Sequence, residues 1–361
     1  MRHSDEKKYI HAFNCARKAG AQGLAKLSAY FSSLENAWRA PAAELVRAGL
    51  TQENARMIAD ARHGIAVETF WEKFAASGIA LITRQDTAYP NLLRAIIDAP
   101  YALYVRGALP SDNEKLIAIV GTRRPTAYGK EAARYLAREL ARAGFSIVSG
   151  MAIGLDAVAL ASALEEGGRV YGVLGCGVDV PYPAQNQALA RRVVEHGALI
   201  SEFAPGVEGE LFHFPMRNRI IAGMSLGTLV IEAREKSGTL ITADLALDYN
   251  RDVFAVPGPI FSQVSRGTHK LIQNGAKLVQ NVRDILEVYG VEVVDVRKSL
   301  AEHATPEEQK VLAALSDTPL HLDEIIRTTT LPVHTVHSAL TMLEMKGAIE
   351  HVGGGAYAPK R

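Results

Sequence analysis

The sequence predicts a doubly wound, mostly parallel α/β sheet, preceded by a small helical domain and followed by a winged helix. Three observations carry this expectation. Short apolar runs alternate with helical patterns of about 10 to 15 residues through the middle of the chain, as parallel strands joined by crossovers do. The chain before Ile79 is rich in alanine and leucine and reads as short helices. The chain after Thr305 shows three helical patterns and a glycine-tipped hairpin.

Composition bounds the rest. At 361 residues, 48% hydrophobic and 22% charged, the chain is long enough for two or three domains. Its formal net charge is +1, so attraction to a polyanion requires a local cluster of cations. Cys15 and Cys176 are far apart and lack partners at zinc spacing, which suits a reduced, cytoplasmic protein with no metal and no disulfide framework. MRHSDEKKY has no apolar signal core, and no run is long enough to span a membrane.

In residues 1–78, Gly20, Gly23, Pro41, Gly49 and Gly64 punctuate the helices, and Ser33 and Thr51 are placed as N-caps. Arg17-Lys18-Ala19-Gly20-Ala21-Gln22-Gly23 faintly resembles a helix-hairpin-helix turn, but a plain packing module is the preferred reading. Residues 79–290 form the second domain. It opens with strand-like, proline-bounded chain to Gly107 and continues as LIAIV, a helix over about 130–143, FSIVS, a helix over about 155–165, and RVYGVLG. A helix after Pro183, ALISE, a loop, SLGTLVIEA, a helix after Ser237, DVFAVPG, a short helix near Lys270 and AKLVQ complete it. This is an extended Rossmann-like pattern.

Ligands of such sheets bind beyond the carboxyl ends of the strands. The residues there are small or cationic: Gly121-Thr122-Arg123-Arg124, Ser149-Gly150-Met151-Ala152, Gly175-Cys176-Gly177, Ser201-Glu202-Phe203, and Glu232-Ala233-Arg234 with Ser237-Gly238-Thr239. The stretch LIAIVGTRRPTAYG, a strand emptying into a glycine turn with two arginines, is the strongest anion-binding candidate. Spacing excludes two common phosphate sites. Lys130 is followed by Glu131, where a Walker A loop needs a hydroxyl for magnesium. GTRRPT lacks the G-x-G-x-x-G of a dinucleotide fingerprint.

An enzyme reading is weaker. A nucleotide hydrolase of the lysine-decarboxylase-like type carries a glutamate shortly after its Gly-Thr, where this chain has Thr242. Glu232 is an upstream substitute that more simply accepts hydrogen bonds. Ser149 lacks the flanking glycines of a nucleophile elbow, and Cys176 reads as a small buried thiol. No catalytic residue and no cofactor are assigned.

The ordered set Val120-Gly121-Thr122-Arg123, Ser149-Gly150-Met151-Ala152 with Gly154-Leu155-Asp156, Gly175-Cys176-Gly177 with Tyr182-Pro183, and Ser201-Glu202 resembles the DNA-processing protein A (DprA, also called Smf) family. Phe214-Pro215-Met216-Arg217-Asn218-Arg219-Ile220-Ile221-Ala222-Gly223, Ser237-Gly238-Thr239, Val256-Pro257-Gly258 and Gly275-Ala276 extend the resemblance. It implies a homodimer that binds single-stranded DNA, displaces single-strand-binding protein and loads the RecA recombinase during natural transformation, with no enzymatic activity. The phosphate pocket it implies comprises Gly121, Thr122, Arg123, Ser149, Gly150, Arg217, Asn218, Arg219, Ser237, Gly238 and Thr239.

Side-chain chemistry suggests the roles within that pocket. Arg123 offers a planar two-donor fork, and Gly121 and Gly150 let backbone N–H groups approach a phosphate. Arg217 and Arg219 lie two apart and point in different directions on a helix, so one is expected to meet DNA and the other to be structural. Phe214 or Phe212 is placed to stack on a base. Ile153 stands where the family often has lysine, and Leu160 where it often has histidine. Gly267–Leu278 is the expected dimer interface.

Residues 291–304 read as a linker and 305–361 as the winged helix. Thr305-Pro306-Glu307-Glu308 starts its first helix with proline at N1 and acids in the first turn. This segment carries five basic against seven acidic residues, and its recognition helix bears His334, His337, Glu344 and Lys346 without an arginine stripe. A protein-contact or weak duplex-contact role is therefore favoured over that of a DNA reader, with a winged-helix transcription regulator as a further alternative.

Overall fold

The computed structural model describes residues 3–16, 19–180, 183–291, 304–315 and 319–359, with backbone alone for 3–5. Arg17 and Lys18 of the helix-hairpin-helix-like turn, Tyr182, and residues 292–303 of the expected linker lie outside the described residues. Residues 1–289 form one compact unit and residues 290–361 another.

The first unit opens with α1 (His3–Cys15), α2 (Gly20–Tyr30), α3 (Leu34–Arg39), α4 (Ala42–Arg47), α5 (Gln52–Ala61) and α6 (Val67–Ala75). Ser33 and Thr51 cap α3 and α5, accepting from the N–H groups of Asn36 and Asn54 at 3.1 Å. Both caps follow the sequence expectation.

The chain then builds β1 (Ala80–Thr83), α7 (Asn91–Arg94), β2 (Ala102–Gly107), β3 (Lys115–Val120), α8 (Ala127–Arg142), β4 (Phe145–Ser149), α9 (Leu155–Glu165), β5 (Val170–Val173) and α10 (Gln187–His196). It continues through β6 (Gly197–Ser201), α11 (His213–Met224), β7 (Gly227–Val230), α12 (Gly238–Asp248), β8 (Asp252–Ala255), α13 (Arg266–Gln273), β9 (Lys277–Leu278) and α14 (Arg283–Leu286). α11 fills the stretch read from sequence as a loop leading into a helix.

Among the described residues the strands form a nine-stranded sheet in the order β1-β2-β6-β5-β4-β3-β7-β8-β9. From β6 to β9 neighbouring strands are parallel, while β2 joins β6 and β1 joins β2 antiparallel. The inner strands β4, β5, β6 and β7 are buried throughout, which explains their continuous apolar reading. α8 shows one apolar stripe, and Ala133, Leu136, Ala137 and Leu140 bury it against its neighbours.

The N-terminal helices are tied to the sheet by a buried polar contact. His11 of α1 lies against Phe74 of α6, with ring centroids 4.6 Å apart, and its Nδ1 is 3.0 Å from the Tyr104 hydroxyl of β2. Lys7 of α1 pairs with Asp86 beyond β1 at 3.0 Å.

The order of strands fixes the place of the site. From β3 the chain steps one way to β4, β5 and β6, then returns to lay β7 on the other side of β3. The loops after β3 and β7 therefore diverge and leave a crevice between them, the switch point of the sheet.

The second unit contains α15 (Pro306–Ala314), β10 (Leu320–His321), α16 (Leu322–Thr329), α17 (Val333–Met345), β11 (Ile349–Gly353) and β12 (Ala356–Pro359). The sheet order is β10-β12-β11, giving the three helices and hairpin of a winged helix. Thr305 and Glu308 form a reciprocal capping box at the start of α15. Lys346 closes onto the Glu308 carboxylate at 2.7 Å, and this contact, against burial, holds that carboxyl below its ordinary value.

Candidate functional site

The crevice is built on Glu232, immediately after β7. Its carbonyl accepts the Thr122 N–H at 2.9 Å, and its carboxylate accepts from the Thr126 N–H at 3.0 Å and from the Thr126 hydroxyl. Thr126 in turn caps α8 by accepting the Gly129 N–H at 3.0 Å. The Gly121–Thr126 loop is thus fastened to the strand across the switch point. Glu232 is 3% exposed and fully engaged in this fastening, as expected of an acceptor rather than a general base.

Below the loop lies an anion-binding nest already filled by the protein. The Asp156 carboxylate in the first turn of α9 accepts the Gly150 N–H at 3.1 Å and the Ala152 N–H at 3.4 Å. Met151 between them adopts φ 56°, an unusual value for a non-glycine residue that turns both N–H groups toward one oxygen. Arg217 supplies the countercharge: its Nη1 donates to the Gly150 carbonyl at 2.6 Å and to the Val173 carbonyl. Gly150 has no room for a side chain, since a Cβ would stand 2.6 Å from both the Arg217 guanidinium and the Asp156 carboxylate.

Burial pushes the Asp156 carboxyl up and the Arg217 guanidinium down, to about 10, while their mutual attraction opposes both shifts. The surrounding N–H donors and the Arg217 guanidinium favour the ionised form of Asp156 against that burial.

These contacts correct several expectations. Gly150 does not offer its N–H to a ligand, because Asp156 takes it. Ser149 is fully buried and its hydroxyl donates to the Ile119 carbonyl at 2.6 Å. Arg217 is 5% exposed and spent on internal carbonyls. Arg219 faces away from Arg217, as the two-residue offset predicts, but it too is engaged: it pairs with Glu202, with Asp98 3.9 Å away. The expected division between one structural arginine and one DNA-facing arginine is therefore not what the side chains do. Gly121 serves packing, since a Cβ there would strike Leu155 of α9 at 2.3 Å, and its N–H, like that of Gly150, turns to the Asp156 carboxyl rather than to a ligand.

Above the nest the surface is open. Arg123 is exposed, with its guanidinium 5.5 Å from the centre of the Phe214 ring. Such a contact contributes about 0.5–1 kcal/mol at an exposed site and holds the guanidinium in place. One turn along α11 from Phe214, Asn218 donates to the Gly238 carbonyl at 3.3 Å, which brings the start of α12 to the same rim. The Ser237 side chain makes no capping bond at that start, and its hydroxyl is buried without a hydrogen-bond partner among the described residues. Gly238 and Thr239 are the first residues of this helix, where backbone N–H groups have no acceptor within the helix. The Thr122 hydroxyl, accepting from the Arg124 N–H at 3.2 Å, edges the same rim.

Charge is distributed unevenly. Arg123, Arg124 and Lys130 beyond β3, and Arg234 and Lys236 beyond β7, are exposed and form no ion pair among the described residues. Farther along α8, Arg134, Arg138 and Arg142 are each paired with glutamates. Glu235, between Arg234 and Lys236, is also exposed, so this end of the sheet in a chain of net charge +1 carries an excess of cations rather than cations alone. Ile153, 42% exposed, adds no charge there, and Leu160 is fully buried as packing.

Asp156 is the residue that sequence reasoning missed. The available signal was an acid in the first turn of a helix that follows a strand and a turn of small residues. Cys176 is buried and its thiol is pushed up to about 11, the unreactive form expected. Among the described residues, no cluster of three or more His, Cys, Asp or Glu is placed to hold a metal. No described helix is long and apolar enough to cross a membrane.

Fold and rim together define a class: a doubly wound α/β protein whose switch-point crevice carries an uncapped helix N-terminus and exposed cations. The family model for DNA recombination-mediator protein A matches residues 80–290, and that for the DprA winged helix domain matches residues 297–355. The chain belongs to the DNA recombination-mediator protein A family.

It is 33% identical to Protein Smf of Synechocystis over 393 residues, covering 98% of this chain and 99% of that protein. The X-ray structure of DNA processing protein A from Streptococcus pneumoniae aligns with TM-score 0.67 and 33% identity, covering 78% of this chain and 97% of that one. A Helicobacter pylori DNA processing protein A, studied for its single-stranded DNA binding mode, aligns with TM-score 0.53 and 30% identity over 58% of this chain and 95% of that one.

Proposed function

We propose that this protein binds single-stranded DNA along the switch-point rim and acts as a cytoplasmic recombination mediator that, as a homodimer, hands the strand to RecA in place of single-strand-binding protein. The observation that carries this reading is the set of unpaired cations around the uncapped start of α12. Arg123, Thr122, Asn218, Ser237, Gly238 and Thr239 contact the backbone; Phe214 holds Arg123 and offers a face to a base. Asp156, Arg217, Ser149 and Gly150 form the rigid floor. Phosphate contact with little base readout gives sequence-indifferent binding that weakens with salt.

The nucleotide-hydrolase alternative needs a carboxylate free to act on substrate, and Glu232 is committed to Thr126. Incubation with nucleoside monophosphates is expected to release no free base. The winged helix adds a protein-contact surface: Val333, Met342 and Met345 of α17 are exposed, while Lys346 is turned inward to Glu308. A competition assay with single-stranded and duplex oligonucleotides of mixed sequence tests the central reading. Preference for single strands supports it, and equal affinity for duplex overturns it.

A further inference from the structure

Two large apolar side chains stand in solvent at the same end of the sheet as the rim. Ile260 and Phe261, in the loop between β8 and α13, are 74% and 92% exposed. They are the central pair of a turn closed by the Ser262 N–H on the Pro259 carbonyl at 2.9 Å. Scattered exposed apolar residues are ordinary; what distinguishes this pair is how it is held.

The loop is fastened at several points. Tyr128 of α8 donates its hydroxyl to the Pro257 carbonyl at 2.7 Å, and His269 Nε2 lies 3.0 Å from the Gly258 carbonyl. The Val256 N–H donates to the Val230 carbonyl at 3.0 Å and the Ala233 N–H to the Val264 carbonyl at 2.7 Å, so both ends of the loop are joined to β7 and the chain beyond it. Gly258 has no room for a side chain, since a Cβ would stand 2.2 Å from the Ser265 hydroxyl. Pro257 and Pro259 restrict the backbone further. A rigid support thus presents the Phe261 ring, and little conformational entropy is lost when a ligand packs on it.

The surroundings set the charge of that ligand. Arg234 and Lys236 lie on the adjacent loop, Arg266 opens α13 and Lys270 follows one turn later; all four are exposed and form no ion pair among the described residues, with Glu235 the acid between the first two. β8 is the second strand from β3, about 10 Å away, so the turn and Arg123 share one end of the sheet. A bare aromatic face among cations suits a ligand that combines negative charge with flat rings, as a single strand of nucleic acid does. Two apolar residues are too small a patch for a stable protein interface.

We propose that Phe261 is a stacking platform for a base of the strand whose phosphates lie on the switch-point rim. The inference rests on the rim reading and extends the path of the strand across β7 to β8.

Fluorescence anisotropy with a mixed-sequence single-stranded oligonucleotide, and with an abasic one of the same length, tests it. Phe261→Ala is expected to weaken binding of the ordinary strand about tenfold, the loss of one base–aromatic stack, and to leave its salt slope and the binding of the abasic strand unchanged. Phe261→Tyr should retain the parent affinity. Phe261→Trp should show tryptophan fluorescence that the ordinary strand quenches and the abasic strand does not. Arg123→Ala, by contrast, should weaken both strands. Because the Phe261 side chain is exposed, its variants should keep the thermal midpoint of the parent.

An Phe261→Ala protein that binds the ordinary strand as tightly as the parent overturns the inference and leaves the rim standing. Equal weakening of ordinary and abasic strands also overturns it, as does a lower native mass than the parent, which assigns the turn to an interface between copies of the chain. A parent protein that binds no single strand overturns the rim reading and this inference with it.

Discussion

Three arginines that look alike in sequence have different physical fates. Arg123 follows a strand in a short loop and keeps its charge in solvent above Phe214. Arg217 points into the sheet and neutralises Asp156, while Arg219 points the other way to Glu202. Helical offset fixed the divergence of the last two, but nothing in their spacing showed that both directions end in buried acceptors. Removing one partner of a buried charged pair leaves the other uncompensated, at a cost of about 3–5 kcal/mol. Asp156→Asn is therefore expected to lower the unfolding free energy on that scale in denaturant titration. A loss below about 1 kcal/mol would show that the nest is not a structural keystone.

The helix starts at the crevice differ in their caps, and the difference is testable. Thr126 caps α8 and also donates to Glu232, so Thr126→Ala is expected to cost about 1–2 kcal/mol of stability. Ser237 caps nothing, and its hydroxyl is unpartnered among the described residues, so Ser237→Ala should change stability by less than about 0.5 kcal/mol. The same substitution should weaken binding of a single-stranded oligonucleotide. A marked loss of stability with unchanged binding would contradict the role given to α12.

Elements of this sheet were legible because buried parallel strands leave unbroken apolar runs, as FSIVS and ALIS do. The antiparallel pairing of β1 and β2 onto β6 was not, since edge pairing depends on long-range register rather than local pattern. The small residues at the strand ends marked the crevice. They could not show which N–H groups Asp156 had already taken.

At the scale of the molecule, the N-terminal helices and the sheet act together through His11. Burial lowers its pKa to about 4 from the ordinary 6.5, so it is neutral in the folded protein, while the unfolded chain takes up a proton as pH falls through 6.5. Stability is thus complete above that value and declines as pH falls toward about 4, by on the order of 3 kcal/mol for this group. His11→Phe is expected to flatten that decline in thermal unfolding between those pH values; an unchanged profile would place the acid sensitivity elsewhere.

Net charge near zero concealed the rim, because the excess cations there are balanced by acids in other parts of the chain. The central claim is that these cations, with Arg123 foremost, hold a single strand by its phosphates. The direct measurement is fluorescence anisotropy of a mixed-sequence single-stranded oligonucleotide, titrated with parent and Arg123→Ala protein across a series of salt concentrations. Loss of one phosphate contact should weaken binding and flatten the slope of log K against log salt by about 0.7, with thermal stability unchanged. An Arg123→Ala protein that binds as tightly, with the same salt slope, would contradict the account.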